Sequence, residues 1–226
     1  MIEISMTERM QMLPLLQGLT LADFDSIIAS VKLDFHKYDA DDIIATSGDR
    51  CQSLIYIING RFEAEYRSAT QPFAISEICT DMPHLIEPHN LFGVKRTFER
   101  TYTFIEEGST FVVSRDHFLR RLMAFDIVRS NYINMLCNNL RKSRDAAPFV
   151  CPATAEEKIL KLISSHCLTP TGEKHVRAKM EAISSMVDET RLTVSGILNK
   201  WQDQGLIDLR RHGFTIHELS NIKTNE

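Results

Sequence analysis

Arg191, Ser195 and Asn199 stand at i, i+4 and i+8 in the stretch ISSMVDETRLTVSGILNKWQDQGLIDLRRHG, residues 183–213. On a helix that spacing stacks a guanidinium, a hydroxyl and a carboxamide on one face. These groups can hydrogen-bond base edges in a DNA groove. Arg210-Arg211-His212-Gly213 follows, and two adjacent guanidinium groups at a turn suit phosphate oxygens. The chemistry on offer is recognition rather than bond-making. The sequence has no Ser-His-Asp arrangement, no phosphate loop and no metal-spaced His/Glu cluster, and its eight histidines include no i, i+4 pair around a glutamate. The chain therefore reads as a non-enzyme.

The elements that would position these groups are legible too. Val194, Ile197, Leu198 and Trp201 fall at i, i+3, i+4 and i+7, one apolar stripe opposite the polar face. Thr190 stands where an N-cap hydroxyl accepts a bond from a free backbone N–H. Gly205 stands where a left-handed residue ends a helix. A helix over Thr190–Gln204 is expected, preceded by a shorter one with Met180, Ile183 and Val187 pointing inward. Val187-Asp188-Glu189 makes the turn between them. Two helices so joined lay the second in a major groove. Leu206–Leu209 and Phe214–Ile216 read as strands flanking Arg210–Gly213, a basic wing. An ordinary helical pair with a hairpin would give a similar pattern, and the basic tip favours the DNA-reading arrangement. The candidate contact residues are Lys179, Thr190, Arg191, Leu192, Ser195, Asn199, Lys200, Arg210 and Arg211.

A chain of 226 residues with 43% apolar content can bury two modest cores. No run of eighteen apolar residues suggests a membrane span, and the start MIEISMTERM lacks the pattern of a secretory signal. Five cysteines, at 51, 79, 137, 151 and 167, are odd in number and without C-x-x-C spacing. They imply neither a disulfide framework nor a zinc site, so reduced thiols and a cytoplasmic location are expected. A net charge of −4 argues against nucleic acid for the chain as a whole. Locally the balance reverses. From Thr190 to Gly213, Arg191, Lys200, Arg210 and Arg211 face only Asp203 and Asp208, and Lys174, Arg177 and Lys179 extend the basic footprint upstream. So thin a footprint implies modest affinity per subunit and a need for dimerisation.

Earlier in the chain, Thr20-Leu21-Ala22-Asp23 approximates a capping box for a helix to Ser30. Val31, Leu33 and Phe35 then alternate with polar residues, the mark of a half-buried strand. Strands are expected at Ile43–Thr46, Leu54–Ile58, Arg61–Tyr66, Phe73–Ile78, Tyr102–Ile105 and Thr110–Ser114. Asn59-Gly60 gives the strongest hairpin signal. Many short strands imply an antiparallel sandwich or roll. A long helix over Asp126–Arg144 carries two stripes: Val128, Tyr132, Met135, and Ile133, Leu136, Leu140. The first can pack on the roll while the second meets a partner helix; a single wide stripe in a monomer is the alternative. Ala146–Pro152 breaks the helix. Thr154–Glu157 is a capping box opening the next helix, to about His166, and Thr169–Glu173 reads as a loop.

This order of elements resembles the Crp/Fnr family of bacterial transcription regulators. Three stretches carry the resemblance: Gly48–Gly60 is similar to the turn-strand-turn of that family's cyclic-nucleotide-binding roll, Leu13–Leu19 to its lead-in helix, and Ile183–Ile207 to its helix-turn-helix. The resemblance implies an α+β fold. An N-terminal antiparallel β-roll of the double-stranded β-helix or jelly-roll type (1–124) would lead through a dimerisation helix (125–147) to a C-terminal winged helix-turn-helix (148–226). It implies a homodimer on palindromic double-stranded DNA, with Ile133, Leu136 and Leu140 at the interface and RNA polymerase as a partner. An effector would act by turning the winged domains about the 146–152 hinge.

Departures from the family pattern limit what carries over. Thr190-Arg191 stands where the cyclic-AMP receptor branch has Ser-Arg, but Leu192 and Gly196 replace base-reading Glu and Arg, so a different operator is implied. Asp188 takes a turn position usually held by Gly. In the effector pocket, expected at Phe92, Gly93, Val94, Arg100 and Thr101, Val94 replaces the ribose-binding Glu. Arg100-Thr101 sits two residues short of the family spacing. Losing the charged acceptor costs about 2–3 kcal/mol, so cyclic nucleotides are not expected to bind. No cofactor is expected, and no metal site. Haem, through Cys79, His84 or His89, is the rival effector. The N-terminal cysteine cluster of the iron–sulfur branch is missing.

Overall fold

The computed structural model describes residues 11, 13–31, 34–80, 82–145 and 152–222. Leu33 and hinge residues 146–151 lie outside that set. Helices are α1 (Leu21–Ser30), α2 (Arg115–Arg120), α3 (Asp126–Asp145), α4 (Ala155–Ser164), α5 (Met180–Val187) and α6 (Arg191–Asp203). Strands are β1 (Asp34–Tyr38), β2 (Ile43–Ala45), β3 (Ser53–Asn59), β4 (Phe62–Arg67), β5 (Phe73–Cys79), β6 (His84–Leu85), β7 (Arg100–Phe104), β8 (Gly108–Ser114), β9 (Lys174–Ala178), β10 (Ile207–Arg210) and β11 (Gly213–Ile216). None of the described helices is long and apolar enough to cross a membrane.

The chain divides into two compact units. One runs up to Phe62 and adds Thr80–Glu99 and Thr103–Arg141; the other holds Glu63–Cys79, Arg100–Tyr102 and the chain from Lys142 onward. This differs from a division by chain order at 124 and 147. Pairing of β5 with β9 places the β4–β5 hairpin with the C-terminal elements.

In the first unit, Thr20 caps α1 as its sequence foretells. Its hydroxyl accepts from the Asp23 N–H at 3.2 Å and its N–H donates to the Asp23 carboxylate at 2.9 Å. Val31, where a strand was expected to open, instead closes α1, its N–H donating to the Ile27 carbonyl at 2.8 Å, and β1 is described over Asp34–Tyr38. Phe35 is 40% exposed, with its ring 5.3 Å from that of Phe111. An antiparallel sheet of order β1-β8-β3-β6 forms one face of the unit. Asn59-Gly60 is not a hairpin between paired strands: β3 pairs with β8 and β6, whereas β4 belongs to a different sheet. Gly60, at φ 94°, is a corner where the chain changes sheets, and a Cβ there would come within 2.7 Å of the Gly108 Cα. Close approach of two corners, not turn type, selects glycine here.

Two faces of α3 differ as its stripes imply. Val128 and Tyr132 are buried, and the Tyr132 hydroxyl donates to the Pro88 carbonyl at 2.7 Å. Met135 and Leu136 are half-buried, while Ile133 and Leu140 are 51% and 63% exposed.

The second unit is a sheet of order β10-β11-β9-β5-β4 with α4, α5 and α6 packed on it. Thr154 and Glu157 form the expected capping box on α4. β9 is an addition to the sequence reading. Its Lys-His-Val-Arg-Ala alternates inward and outward, with a lysine on the buried face. That lysine disguises the strand as part of a basic surface. The core joins Phe73 and Ile75 of β5 to Ile163, Val176, Ile183, Val194, Leu198 and Trp201.

Candidate nucleic-acid interface

Helices α5 and α6 meet at a turn where Asp188 adopts a left-handed conformation, φ 53°. Aspartate is among the few non-glycine residues that tolerate it. The Thr190 hydroxyl accepts from the Thr193 N–H at 3.1 Å, fixing the start of α6. Val194, Leu198 and Trp201 are completely buried and Ile197 half-buried, so the apolar stripe faces the core. Gly205 ends the helix at φ 69°.

The opposite face is held out by its own partners. Arg191 and Leu192 are exposed, and the Arg191 guanidinium lies 3.3 Å from the Glu181 carboxylate of α5. The Asn199 amide approaches the half-buried Ser195 hydroxyl at 3.5 Å. Lys200, by contrast, is exposed but held by an acidic partner. Its ammonium meets Glu156 at 3.0 Å, and the same carboxylate accepts the Trp201 indole N–H at 2.6 Å. Burial raises the Glu156 pKa, but the Trp201 and Lys200 hydrogen bonds and the Lys200 charge outweigh it and hold the carboxyl below its ordinary range. Glu156 thereby ties the last turn of α6 to α4.

The wing is a two-residue hairpin, with Arg210 opposite Gly213 across β10 and β11. Gly213 has a packing reason: a Cβ there would stand 1.9 Å from the Val176 carbonyl oxygen of β9. Between α5, α6 and the wing lies a cleft of about 240 Å³, lined by Lys179, Glu181, Arg191, Arg210, Arg211 and His212 among others. Four cations and an imidazole around one carboxylate make this a site for an anion. The structure thus gathers Lys179, Arg191, Arg210 and Arg211. Ser195, Asn199 and Lys200 do not line the cleft, and Thr190 serves as the cap. Two further residues leave the expected basic footprint. Lys174 is buried against Glu77, and Arg177 is paired with Glu65. Glu65, Glu77 and Glu156 were invisible as partners in the sequence, because each acts across a long stretch of chain.

Phe92, Gly93 and Val94 fall in the first unit, and Arg100 and Thr101 in the second. Val94 is fully exposed. Phe92 is half-buried, with the Phe118 and Tyr132 rings at 6.2 and 5.9 Å and the Arg115 guanidinium 5.1 Å above it. Arg100 is buried and donates to the His166 carbonyl at 3.2 Å. A buried carboxylate does exist nearby, at Glu87. It accepts from the Asn90 amide and the Glu99 N–H, each at 2.7 Å. No periodic signal marks a residue in such a loop. Of the suggested haem ligands, Cys79 is buried in the second unit; the His84 ring lies tilted against Phe62 at 5.1 Å and His89 is exposed, both in the first unit. Burial pushes the Cys51 thiol up to about 11 and, with the Glu77 charge, the Cys167 thiol up to about 12, as expected of unreactive reduced thiols.

No curated protein sequence matches the chain. Among solved structures, the catabolite activator protein of Thermus thermophilus is 17% identical, with 92% of this chain and 95% of that one covered and a TM-score of 0.45. FixK2 of Bradyrhizobium japonicum is 14% identical, covering 87% and 100%, at 0.45. DNR of Pseudomonas aeruginosa is 14% identical, covering 95% and 94%, at 0.44. At these values no ligand or target passes from those proteins to this one. A family model, the Crp-like helix-turn-helix domain, matches residues 157–223. That span holds α5, α6, the wing and most of α4, so this part of the chain is similar to the Crp-like helix-turn-helix domain.

Proposed function

We propose that the chain is a sequence-specific transcription regulator of the Crp/Fnr type, not an enzyme. It acts as a cytoplasmic homodimer on double-stranded DNA, with an effector other than cyclic AMP or with none. The observation that carries this reading is the cleft in which Arg191 of α6 and Lys179, Arg210 and Arg211 converge, inside a Crp-like helix-turn-helix domain. In it, α6 enters a major groove and the wing cations meet the flanking phosphates. Ile133 and Leu140, exposed on α3 beside Leu136, support pairing with a second copy. Two reading heads then sit about 34 Å apart on a palindrome. Contact with RNA polymerase belongs to the same proposal.

Selection of bound duplexes from a random pool tests the reading, with an inverted repeat of half-sites about 10 base pairs apart as the expected product. Enrichment of no common sequence contradicts it. Leu140→Glu places a charge on an exposed position, so folding is spared while the dimer is lost; sedimentation still showing dimers would move the interface elsewhere.

A further inference from the structure

A strand pair from the N-terminal half of the chain completes the core of the DNA-reading head. β5 pairs with β9 from Phe73↔Ala178 to Glu77↔Lys174 in unbroken antiparallel register. Phe73 and Ile75 are buried in the same core as Val176, Ile163 and Trp201. The His166 ring, just beyond α4, lies 4.4 Å from Tyr66 and 5.4 Å from Phe73.

The register is pinned by an ion pair in the interior. Lys174 and Glu77 side chains are 1% and 2% exposed. All three ammonium protons find acceptors: the Glu77 carboxylate at 2.6 Å, the Thr171 carbonyl at 2.7 Å and the Thr169 hydroxyl at 3.1 Å. Glu77 also accepts the backbone N–H groups of Leu168 and Thr169, so it holds the loop between α4 and β9 as well. A second pair, Glu65 to Arg177, ties β4 to β9. An apolar pair of the same size would hold two strands at least as firmly. What distinguishes a buried ion pair is its failure mode, since removing one partner strands an uncompensated charge in the interior. The other edge of β9 carries β11, where Arg177 stands opposite Gly213 at the wing. The hairpin joins the first unit through Phe62 and Thr80.

From this geometry we propose that the β4–β5 hairpin is a detachable part of the reading head, latched by Glu77 and Lys174. Docking of β5 on β9 holds the wing in its DNA-binding form, and release lowers DNA affinity. A change in the roll is thus delivered through the hairpin. This control of DNA affinity rests on the function proposed above; the docking itself does not.

Hydrogen exchange on the full chain tests the latch. Glu77→Gln leaves the Lys174 ammonium without a counter-charge. Exchange in residues 73–79, 174–178 and 213–216 should accelerate about tenfold or more, while 53–59, 108–114 and 126–141 keep wild-type protection. Duplex-DNA affinity should fall about fivefold or more, in proportion to the lost wing. The double variant Glu77→Met with Lys174→Met leaves no unpaired charge and should recover part of both, the remaining loss coming from the Leu168 and Thr169 N–H groups that lose their acceptor. Loss of protection across the whole chain, or none at 174–178, overturns the latch. So does a released β5 with unchanged DNA affinity. A wild-type chain that binds no duplex sinks the function reading and the control of DNA affinity with it, while the exchange pattern still decides the docking.

Discussion

The C-terminal helix-turn-helix and the segment from Phe92 to Thr101 carried equally explicit expectations, and their side chains are fixed in different ways. In the head, Lys179, Arg191, Arg210 and Arg211 arrive around one cleft. In the segment, Phe92–Val94 lie in a loop of the first unit with Val94 exposed, and Arg100–Thr101 open β7 in the second. The difference lies in what fixes each side chain. A buried stripe ending in Trp201 sets the rotation of α6, so its polar face follows from its apolar one. A loop has no such periodicity, and its residues go where distant partners hold them.

The sharpest way to break the comparison is to remove the anchor. Trp201→Ala should cost about 3–5 kcal/mol, since a completely buried indole leaves a cavity. Phe92→Ala, half-buried in its loop, should cost clearly less. Denaturant melting of both variants measures this, and equal losses would show that the loop is anchored as firmly as the helix.

Arg191→Ala should weaken binding to the selected operator by about 1–3 kcal/mol while sparing random duplex. Arg211→Ala should weaken both alike, because a wing tip meets phosphate. Fluorescence anisotropy with the two duplexes distinguishes them. Equal loss on both for Arg191→Ala would make it a phosphate contact only.

Glu156→Gln should destabilise the chain by about 1–2 kcal/mol at neutral pH, through weaker acceptance from Trp201 and Lys200. The sign with pH follows from a carboxyl held below its ordinary range. Its contribution is complete above the ordinary carboxylate pKa and is lost as pH falls through the depressed value. The gap between wild type and Glu156→Gln should therefore narrow in acid. A gap that widens would refute the pairing.

Val94→Glu should do least. At a fully exposed position its effect on stability stays within about 0.5 kcal/mol. The added carboxylate should create no cyclic-nucleotide site. In titration calorimetry, cyclic AMP and cyclic GMP should bind wild type and variant no tighter than about millimolar. A micromolar constant would show that the loop closes into a pocket after all.

What was legible follows the same division. Thr20, Thr154, Thr190 and Gly205 act locally, within one turn of helix, and their caps are where the residues indicate. Val194, Leu198 and Trp201 needed only periodicity. Asn59-Gly60 misled because a hairpin signal reports a tight turn and not which sheet the next strand joins. Lys174 misled because a cation was read as surface, and only its partner on β5, 97 residues away, explains its burial. Glu156 and Glu65 draw Lys200 and Arg177 from the basic face by contacts of the same long-range kind.

The central claim is that the basic cleft beside α6 reads DNA, and the salt dependence of duplex binding tests it most directly. With roughly three phosphate contacts per subunit in a dimer, the logarithm of affinity should fall with the logarithm of salt at a slope of about −5. Arg211→Ala should make that slope shallower by about 2, one contact in each subunit. A slope near zero, unchanged by Arg211→Ala, would contradict the account.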